Sequence, residues 1–300
     1  MEAISPENLV NYHLYELNSE LSNKLEGDCV FINSVIFPPL EKEFRIVLEN
    51  LKNSNANCKQ TDHLIVLLQT TGGMMETVER LVAIMRQHYK CVSFVIPDYA
   101  YSAGTVLALS GDNIFMDYYS VLGPIDPQYP SEDGSFLSGH GYLSKYEELV
   151  NRINNASANH KVRAELAFLI RNFDPAKLFQ FEQSIEHGIS LITDWLPKYK
   201  FSHWNKTKSR GKTVTDRMKR TRAKTIAKIL GDASKWHSHG RGITMSRLRE
   251  DDLKLEIDDF SNDGELMSMI KNYHGLAINF ARNVGIVDFL HYQDGFRRVQ

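Results

Sequence analysis

Short apolar runs alternate with stretches of helical periodicity in the first half of the chain. The runs at 28–36, 64–68 and 92–96 contain many β-branched residues, which predicts strands that are buried on both faces of a parallel sheet. Apolar positions recur every three or four residues over 40–51 and 74–88, which predicts helices between these strands. The alternation therefore predicts an α/β fold, with a parallel sheet flanked by helices.

Helical periodicity dominates the rest of the chain. Apolar positions keep a helical spacing through most of 142–196, and the stretch 265–284 has an amphipathic pattern. We therefore expect a mostly helical region after the sheet. The predicted units are an N-terminal helix at 1–27, a sheet-based core at 28–141, a helical arm at 142–196 and a helical C-terminal region at 197–300.

Two of the predicted strands end next to residues that suit catalysis. Gly72-Gly73 follows the strand at 64–68, and Ser102 follows the strand at 92–96, each at the start of a helix. The carboxyl ends of neighbouring parallel strands meet at one edge of a sheet, so these positions should lie together. Glycine lets a ligand approach the backbone, and a helix start offers unpaired N–H donors. The pattern predicts a nucleophile beside an oxyanion hole, as acyl transfer requires.

Each of these features also has a purely structural explanation. A Gly-Gly pair after a strand commonly forms a tight turn, and Ser102 would cap the helix that it precedes. Met74 is either an ordinary core residue or a soft wall for an apolar substrate side chain. The predicted oxyanion and substrate-binding positions are Gly72, Gly73, Met74 and Ala103.

Three motifs in a fixed order carry a family resemblance. They are Thr70-Thr71-Gly72-Gly73, Tyr101-Ser102-Ala103-Gly104-Thr105 and Gly123-Pro124-Ile125-Asp126-Pro127-Gln128. With them the chain resembles the Clp-protease/crotonase superfamily, in particular its serine dehydrogenase proteinase branch, which is related to signal-peptide peptidase A and NfeD-type serine proteases. The likeness covers about 28–128, and 195–204 and 235–243 also resemble that branch. It implies a crotonase/ClpP-like fold and a serine peptidase that acts on peptides or proteins.

The base that would activate the serine is open at this point, because a serine hydroxyl needs one within hydrogen-bond reach. In the Clp branch a histidine follows the serine by about one strand and turn, whereas this chain has Asp126 there, between two prolines. Peptidase A relatives use a lysine from a later helix, for which Lys145 and then Lys161 are the candidates. His239, oriented by Asp126, is placed slightly ahead of Lys145. The predicted catalytic residues are Ser102, Asp126, His239 and Lys145.

No cofactor or metal is expected. The three cysteines have no metal-ligand spacing, and their odd number argues against a disulfide framework. His237 and His239 are close in sequence, but no cysteine or carboxylate completes a zinc pattern with them.

Composition indicates an ordinary globular protein of 300 residues with a net charge of −2. No apolar run reaches the roughly 18 residues that span a bilayer, and the polar, acidic N-terminus does not resemble a signal peptide. We therefore expect a cytoplasmic protein, unlike many membrane-anchored peptidase A relatives.

One segment departs from this average composition. Residues 198–228 hold twelve lysines and arginines with a single acid, Asp216, whereas 248–265 is rich in acids. A helix–turn–helix outline on a basic segment is compatible with nucleic-acid binding. The interpretation favoured by the sequence is a solvated basic face that pairs with the acidic segment.

The prediction that results is a cytoplasmic serine peptidase. An inactive scaffold that binds peptides is one alternative, because the expected histidine is missing, and acyl-CoA chemistry like that of crotonases is another, although crotonases do not need a serine such as Ser102. The resemblance and the apolar arm also predict a homo-oligomer. An isolated subunit would expose the apolar arm positions unless the chain folds back on itself; these are Leu143, Leu149, Ile153 and Leu166.

Overall fold

A computed structural model describes residues 5–54, 61–125, 128–130, 136–155, 160–171, 173–207, 211–236, 240–250 and 252–300. The helices within these ranges are α1 Pro6–Lys24, α2 Pro38–Ser54, α3 Met75–His88, α4 Ala103–Ala108, α5 Gly139–Asn155, α6 His160–Ile170, α7 Pro175–Lys198, α8 Asp216–Gly231, α9 Ala233–Trp236, α10 Met245–Arg249 and α11 Gly264–Asn283. The strands are β1 Asp28–Asn33, β2 His63–Gln69, β3 Cys91–Val95, β4 Tyr99–Ala100, β5 Asn113–Met116, β6 Val121–Leu122, β7 Gln128–Pro130, β8 Phe136–Ser138, β9 Ile243–Thr244, β10 Asp258–Asp259, β11 Phe289–Tyr292 and β12 Gly295–Arg298.

A seven-stranded sheet in the order β10-β5-β3-β2-β1-β11-β12 forms the centre of the fold. The five strands from β10 to β1 run parallel, with Val66 opposite Val30 on one side and Phe94 on the other. β11 and β12 add antiparallel neighbours at the β1 edge. The predicted fold class, a mostly parallel sheet flanked by helices and followed by a largely helical region, is confirmed.

Helices cover both faces of this sheet, which explains why its strands are apolar throughout. Val30 and Ile32 belong to the core under α2, α3, α4, α7 and α8. Phe31, which points to the other face, belongs to the core under α1 and α11. Successive residues of one strand therefore serve two hydrophobic layers, as the two-residue period of a strand requires.

The end of the chain returns to the sheet, which the sequence did not predict. β11 and β12 form a hairpin with Tyr292 opposite Gly295, and β11 pairs with β1. A buried network joins this region to α1: Tyr273 OH contacts His291 Nδ1 at 2.6 Å and accepts from Asn18 Nδ2 at 2.9 Å. The N-terminal and C-terminal segments thus stabilise the same face of the sheet.

The arm consists of α5, α6 and α7, and it packs on itself. The ring of Tyr142 lies 4.7 Å from that of Phe173 and 5.5 Å from that of Phe181. Leu149 and Leu166 are buried within a single chain. The chain therefore covers part of the apolar surface that an extended arm would expose. Among the described residues, no helix combines the length and the apolar character needed to cross a membrane.

A second, three-stranded sheet in the order β4-β6-β9 lies beside the central one. Tyr99 and Ala100 pair with β6, and Leu122 of β6 pairs with Ile243 of β9. α4 begins at Ala103, directly after Ser102, because the two residues of β4 take part in sheet pairing.

Candidate active site

Backbone pairing brings the three motif segments together. Beyond the end of β2, the Thr70 N–H donates to the Tyr99 carbonyl at 3.2 Å, and the Tyr101 N–H donates to the Thr70 carbonyl at 3.0 Å. On the other side, the Ile36 N–H donates to the Gly72 carbonyl at 2.8 Å. The glycine pair thus lies between the segment after β1 and the turn that carries Ser102.

Gly72 and Gly73 have backbone conformations that residues with a side chain disfavour. Gly72 has φ 109° and Gly73 has φ 149°, a region that side chains disfavour. A β-carbon on Gly72 would lie 2.9 Å from Ser102 Cβ, and one on Gly73 would lie 2.0 Å from the carbonyl oxygen of Ile36. The pair therefore permits a close approach between two parts of the backbone, one of which carries the serine.

Ser102 adopts a strained backbone conformation, with φ 53° and ψ −116°. It precedes α4, yet its hydroxyl makes no capping hydrogen bond. The side chain is partly exposed, and its oxygen has no hydrogen-bond partner among the described residues. Strained strand-to-helix turns of this kind present catalytic nucleophiles in other folds.

Two N–H groups flank this serine without an acceptor in the described part of the chain: those of Gly73 and Ala103. The neighbouring amides are occupied, since Gly72 donates to Thr70 Oγ1 at 3.0 Å and Met74 donates to the Ile36 carbonyl at 2.8 Å. Gly73 forms a parallel bridge with Ile36. Because such a bridge uses the flanking peptide groups, the N–H of Gly73 faces away from Ile36.

Threonine side chains that the sequence interpretation missed fasten these segments. The buried hydroxyl of Thr105 lies 2.9 Å from the Ala100 carbonyl and 2.8 Å from the Gly123 carbonyl, and it accepts from the Gly123 N–H at 2.9 Å. The methyl group of Thr70 packs where a β-carbon on Gly104 would lie, 2.3 Å away. The only sequence signal for these roles was their position inside the motifs.

Residues 49–136 match the family model of the ClpP-like SDH-type serine proteinases. The resemblance to that family is confirmed for this stretch. It contains both glycines and Ser102, and it covers less than a third of the chain.

The curated relatives match a short stretch of the chain. The uncharacterized proteins MJ1495 and MJ0137 of Methanocaldococcus jannaschii are each 36% identical over 69 residues, which is 22% of this chain. The chain spans about a quarter (24%) of the length of these curated relatives.

Solved structures with some likeness include proteases. A peptidase from Plasmodium falciparum is 12% identical with a TM-score of 0.37, covering 80% of this chain and 98% of that one. The membrane-bound stomatin-specific protease 1510-N is 16% identical with a TM-score of 0.31, covering 52% and 81%. ClpP1 of Listeria monocytogenes is 19% identical with a TM-score of 0.29, covering 34% and 58%. Likenesses this weak carry no argument about the chain.

The remaining candidates for a ClpP-like site are spread over several elements. Lys145 lies on α5 and forms an exposed ion pair with Glu148 of the same helix, 2.8 Å from Nζ to Oε2. Met74 is 48% exposed beside the glycine pair. Asp126 and His239 lie outside the described residues, and so does the side chain of Lys161.

Aromatic and acidic residues precede the serine, in β4 and beside it. The rings of Tyr99 and Tyr101 stack with centroids 5.3 Å apart. Burial, followed by the charge of Asp98, raises the pKa of the Tyr101 hydroxyl, and burial also raises the pKa of the Asp98 carboxyl. The Tyr101 hydroxyl is therefore neutral at physiological pH.

Proposed function

We propose that this chain is a serine peptidase of the ClpP-like type, with Ser102 as its nucleophile. The observation that carries the proposal is the conformation of Ser102: a non-glycine residue is held at φ 53° against Gly72, with its hydroxyl unused among the described residues. A strain that the fold maintains at a partly exposed hydroxyl is typical of functional sites.

In the proposed reaction, Ser102 Oγ attacks the carbonyl carbon of a peptide bond while a base takes its proton. The oxyanion that forms accepts hydrogen bonds from the N–H groups of Gly73 and Ala103. When the tetrahedral intermediate collapses, the C–N bond breaks and the amine leaves with the proton that the base returns. Water, deprotonated by the same base, then hydrolyses the acyl-enzyme and restores the hydroxyl.

We propose His239 as the base, with Asp126 as its orienting partner. Ile243 pairs with Leu122, in the same small sheet as the strand that leads to Ser102. Four residues span at most about 14 Å, so His239 stays within that distance of Ile243. Lys145 and Lys161 are the alternative bases, and mutation separates the three.

A fluorophosphonate probe tests the nucleophile and the base together. We expect labelling of the native protein, none of Ser102→Ala, and full labelling of Ser268→Ala, a control at an exposed serine on α11. His239→Ala should lower the labelling rate by about 10²-fold or more, whereas Lys145→Ala and Lys161→Ala should leave it unchanged. Labelling that survives in Ser102→Ala would remove Ser102 from the proposal, and a loss confined to a lysine variant would transfer the role of base.

A catalytically inactive scaffold is the second candidate, since no described residue forms a hydrogen bond with the Ser102 hydroxyl. The two functions differ in the same assay. Peptide binding without any Ser102-dependent labelling, from neutral to alkaline pH, would favour the scaffold over the peptidase. Measurable binding of CoA thioesters would favour acyl-CoA chemistry instead.

We further propose that the chain assembles as a homo-oligomer through its arm. Phe168, Leu169 and Phe179 remain 68%, 48% and 61% exposed in the single chain, and burying them would remove apolar surface from water. Light scattering that finds only the 34.4 kDa monomer at micromolar concentration would exclude this assembly. The cytoplasmic location and the four-part division of the chain also stand as proposals, which cell fractionation and limited proteolysis test.

A further inference from the structure

A row of cations follows one face of α8. Arg217, Lys224 and Lys228 are exposed and stand seven and four residues apart, a spacing that places them on the same side of a helix. The opposite side, which includes Ile226 and Leu230, is buried. We call Arg217, Lys224 and Lys228 the basic stripe.

The charges of the basic stripe are not paired within the described part of the chain. None of its three side chains has an ion-pair or hydrogen-bond partner among the described residues. The neighbouring Arg220 differs, because its guanidinium lies 3.3 Å from the carboxylate of Asp194 on α7. Two further lysines, Lys206 and Lys212, occupy the turn before α8.

The described ion pairs of the acidic segment do not include the basic stripe. The pairing that the sequence favoured involves other cations of 198–228, since Asp258 and Glu256 act on the charge of Lys200 and Asp252 acts on that of Arg222. Asp252 accepts from Arg247 at 2.6 and 2.7 Å and also pairs with Lys235, while Glu250 accepts from Arg247 at 2.6 Å. Further along, Lys24 of α1 pairs with both Asp263 and Glu265. Among the described ion pairs, these acids are engaged by cations outside α8.

The neighbourhood of the basic stripe holds little else that a protein partner would use. Protein interfaces have an apolar, aromatic-rich centre that is poor in lysine, whereas the large apolar side chain exposed on α8 is Met218, at 37%. Thr221 and Thr225 donate their hydroxyl hydrogens to carbonyls of their own helix. Such a surface offers positive charge with few groups for sequence readout.

We propose that the basic stripe binds the phosphate backbone of nucleic acid without sequence preference. From Arg217 to Lys228 the helix rises roughly 16 Å, which matches the axial length of about five base pairs. The whole chain carries a net charge of −2, so attraction to a polyanion must come from a local surface. Lys228 ends the stripe beside a cavity of about 360 Å³, which Glu147 and Asp232 also line. The other two cations are therefore the ones to test.

Fluorescence anisotropy with labelled oligonucleotides of about 20 nucleotides, single-stranded and duplex, tests the proposal on the full chain. With three phosphate contacts, log Kobs should fall against log salt with a slope of about −2.1 for the single strand and about −2.7 for the duplex, so affinity weakens roughly 20- to 40-fold between about 50 and 200 mM salt. Two unrelated sequences should bind equally. The variant R217E/K224E should reduce the slope by about 2 and weaken binding for both sequences.

The matched control is K42E/R298E, which makes the same change in net charge at exposed cations on α2 and β12. It should bind like the native chain. Equal losses in both double variants, no binding at low salt, or stripe-dependent binding of polyglutamate without oligonucleotide binding would each overturn the proposal. Thermal melts verify folding, and R217Q/K224Q carries the same test if the charge reversal unfolds the chain.

Discussion

Replacing Ser102 with glycine should make the protein more stable while it abolishes labelling. Ser102 has φ 53° and ψ −116°, where a β-carbon is disfavoured and glycine is not. Ser102→Ala keeps the β-carbon and therefore the strain, so the comparison between the two variants isolates the backbone term. Neither substitution removes a capping bond, because the serine hydroxyl makes none.

The magnitude follows from the cost of holding a non-glycine residue in a sparsely populated region, about 1–3 kcal/mol. Glycine also has its own preferences at helix starts and a larger loss of entropy on folding. The same two substitutions at Met74 serve as the reference for these terms, because Met74 precedes α3 at an ordinary φ of −87° and likewise makes no side-chain capping bond. The gain from alanine to glycine at Ser102 should exceed the same change at Met74 by about 1–3 kcal/mol.

Thermal unfolding of the four variants is the assay. In a chain of this size each kcal/mol corresponds to roughly 2 °C, so the difference should amount to about 2–6 °C in Tm. The fluorophosphonate probe is applied to the same preparations, and neither variant at position 102 should label. If glycine and alanine differ by the same amount at both positions, Ser102 is not strained, and the observation that carries the proposed function fails.

Three further substitutions test the glycine pair, the threonine that fastens the serine turn, and the pH dependence of stability. Gly73→Ala should cost more than about 2 kcal/mol and abolish labelling, because its β-carbon would lie 2.0 Å from a backbone oxygen, whereas Gly264→Ala, with open space around it, should stay within about 0.5 kcal/mol in urea unfolding. Thr105→Val should cost about 1–3 kcal/mol and slow labelling, and Thr105→Ser should restore both. Burial lowers the pKa of His274 to about 4. The unfolded chain therefore takes up a proton at about pH 6.5 that the folded chain does not, and the stability of the fold should fall as pH drops from about 6.5 toward 4. His274→Gln should flatten that decline in melting curves.

The strands at the centre of the sheet were predictable because burial on both faces removes polar residues from them. β2 and β3 have almost no polar positions, and their helical neighbours keep a regular apolar period. β11 and β12 are short and contain His291 and Arg297, and the pairing of β11 with β1 joins residues more than two hundred positions apart. Local patterns do not encode such contacts.

The candidate site was predictable as a location and not as a set of bonds. Glycine pairs and a serine after the ends of neighbouring strands predict that these residues lie together, and Gly72 and Ser102 are in close contact. Which amide stays unused depends on the partners of its neighbours: the Ile36 carbonyl, outside the motif, accepts from the N–H of Met74, and Thr70 Oγ1, within the motif, accepts from that of Gly72. The sequence therefore named four positions, of which two, Gly73 and Ala103, have N–H groups without an acceptor among the described residues.

The three-stranded sheet β4-β6-β9 bears on the proposal that the base comes from 237–242. A strained turn at Ser102 persists only if its surroundings over-determine it, and β4 contributes by pairing with both Thr70 and β6. The strand β9 enters this arrangement from a part of the chain far from the family match, and it does so immediately after 237–242. The hydroxyl of Thr105 in α4 in turn contacts the carbonyl of Gly123, directly after β6. A base supplied from 237–242 would be coupled through β6 to the serine it serves, whereas α5 joins this sheet through no strand pairing.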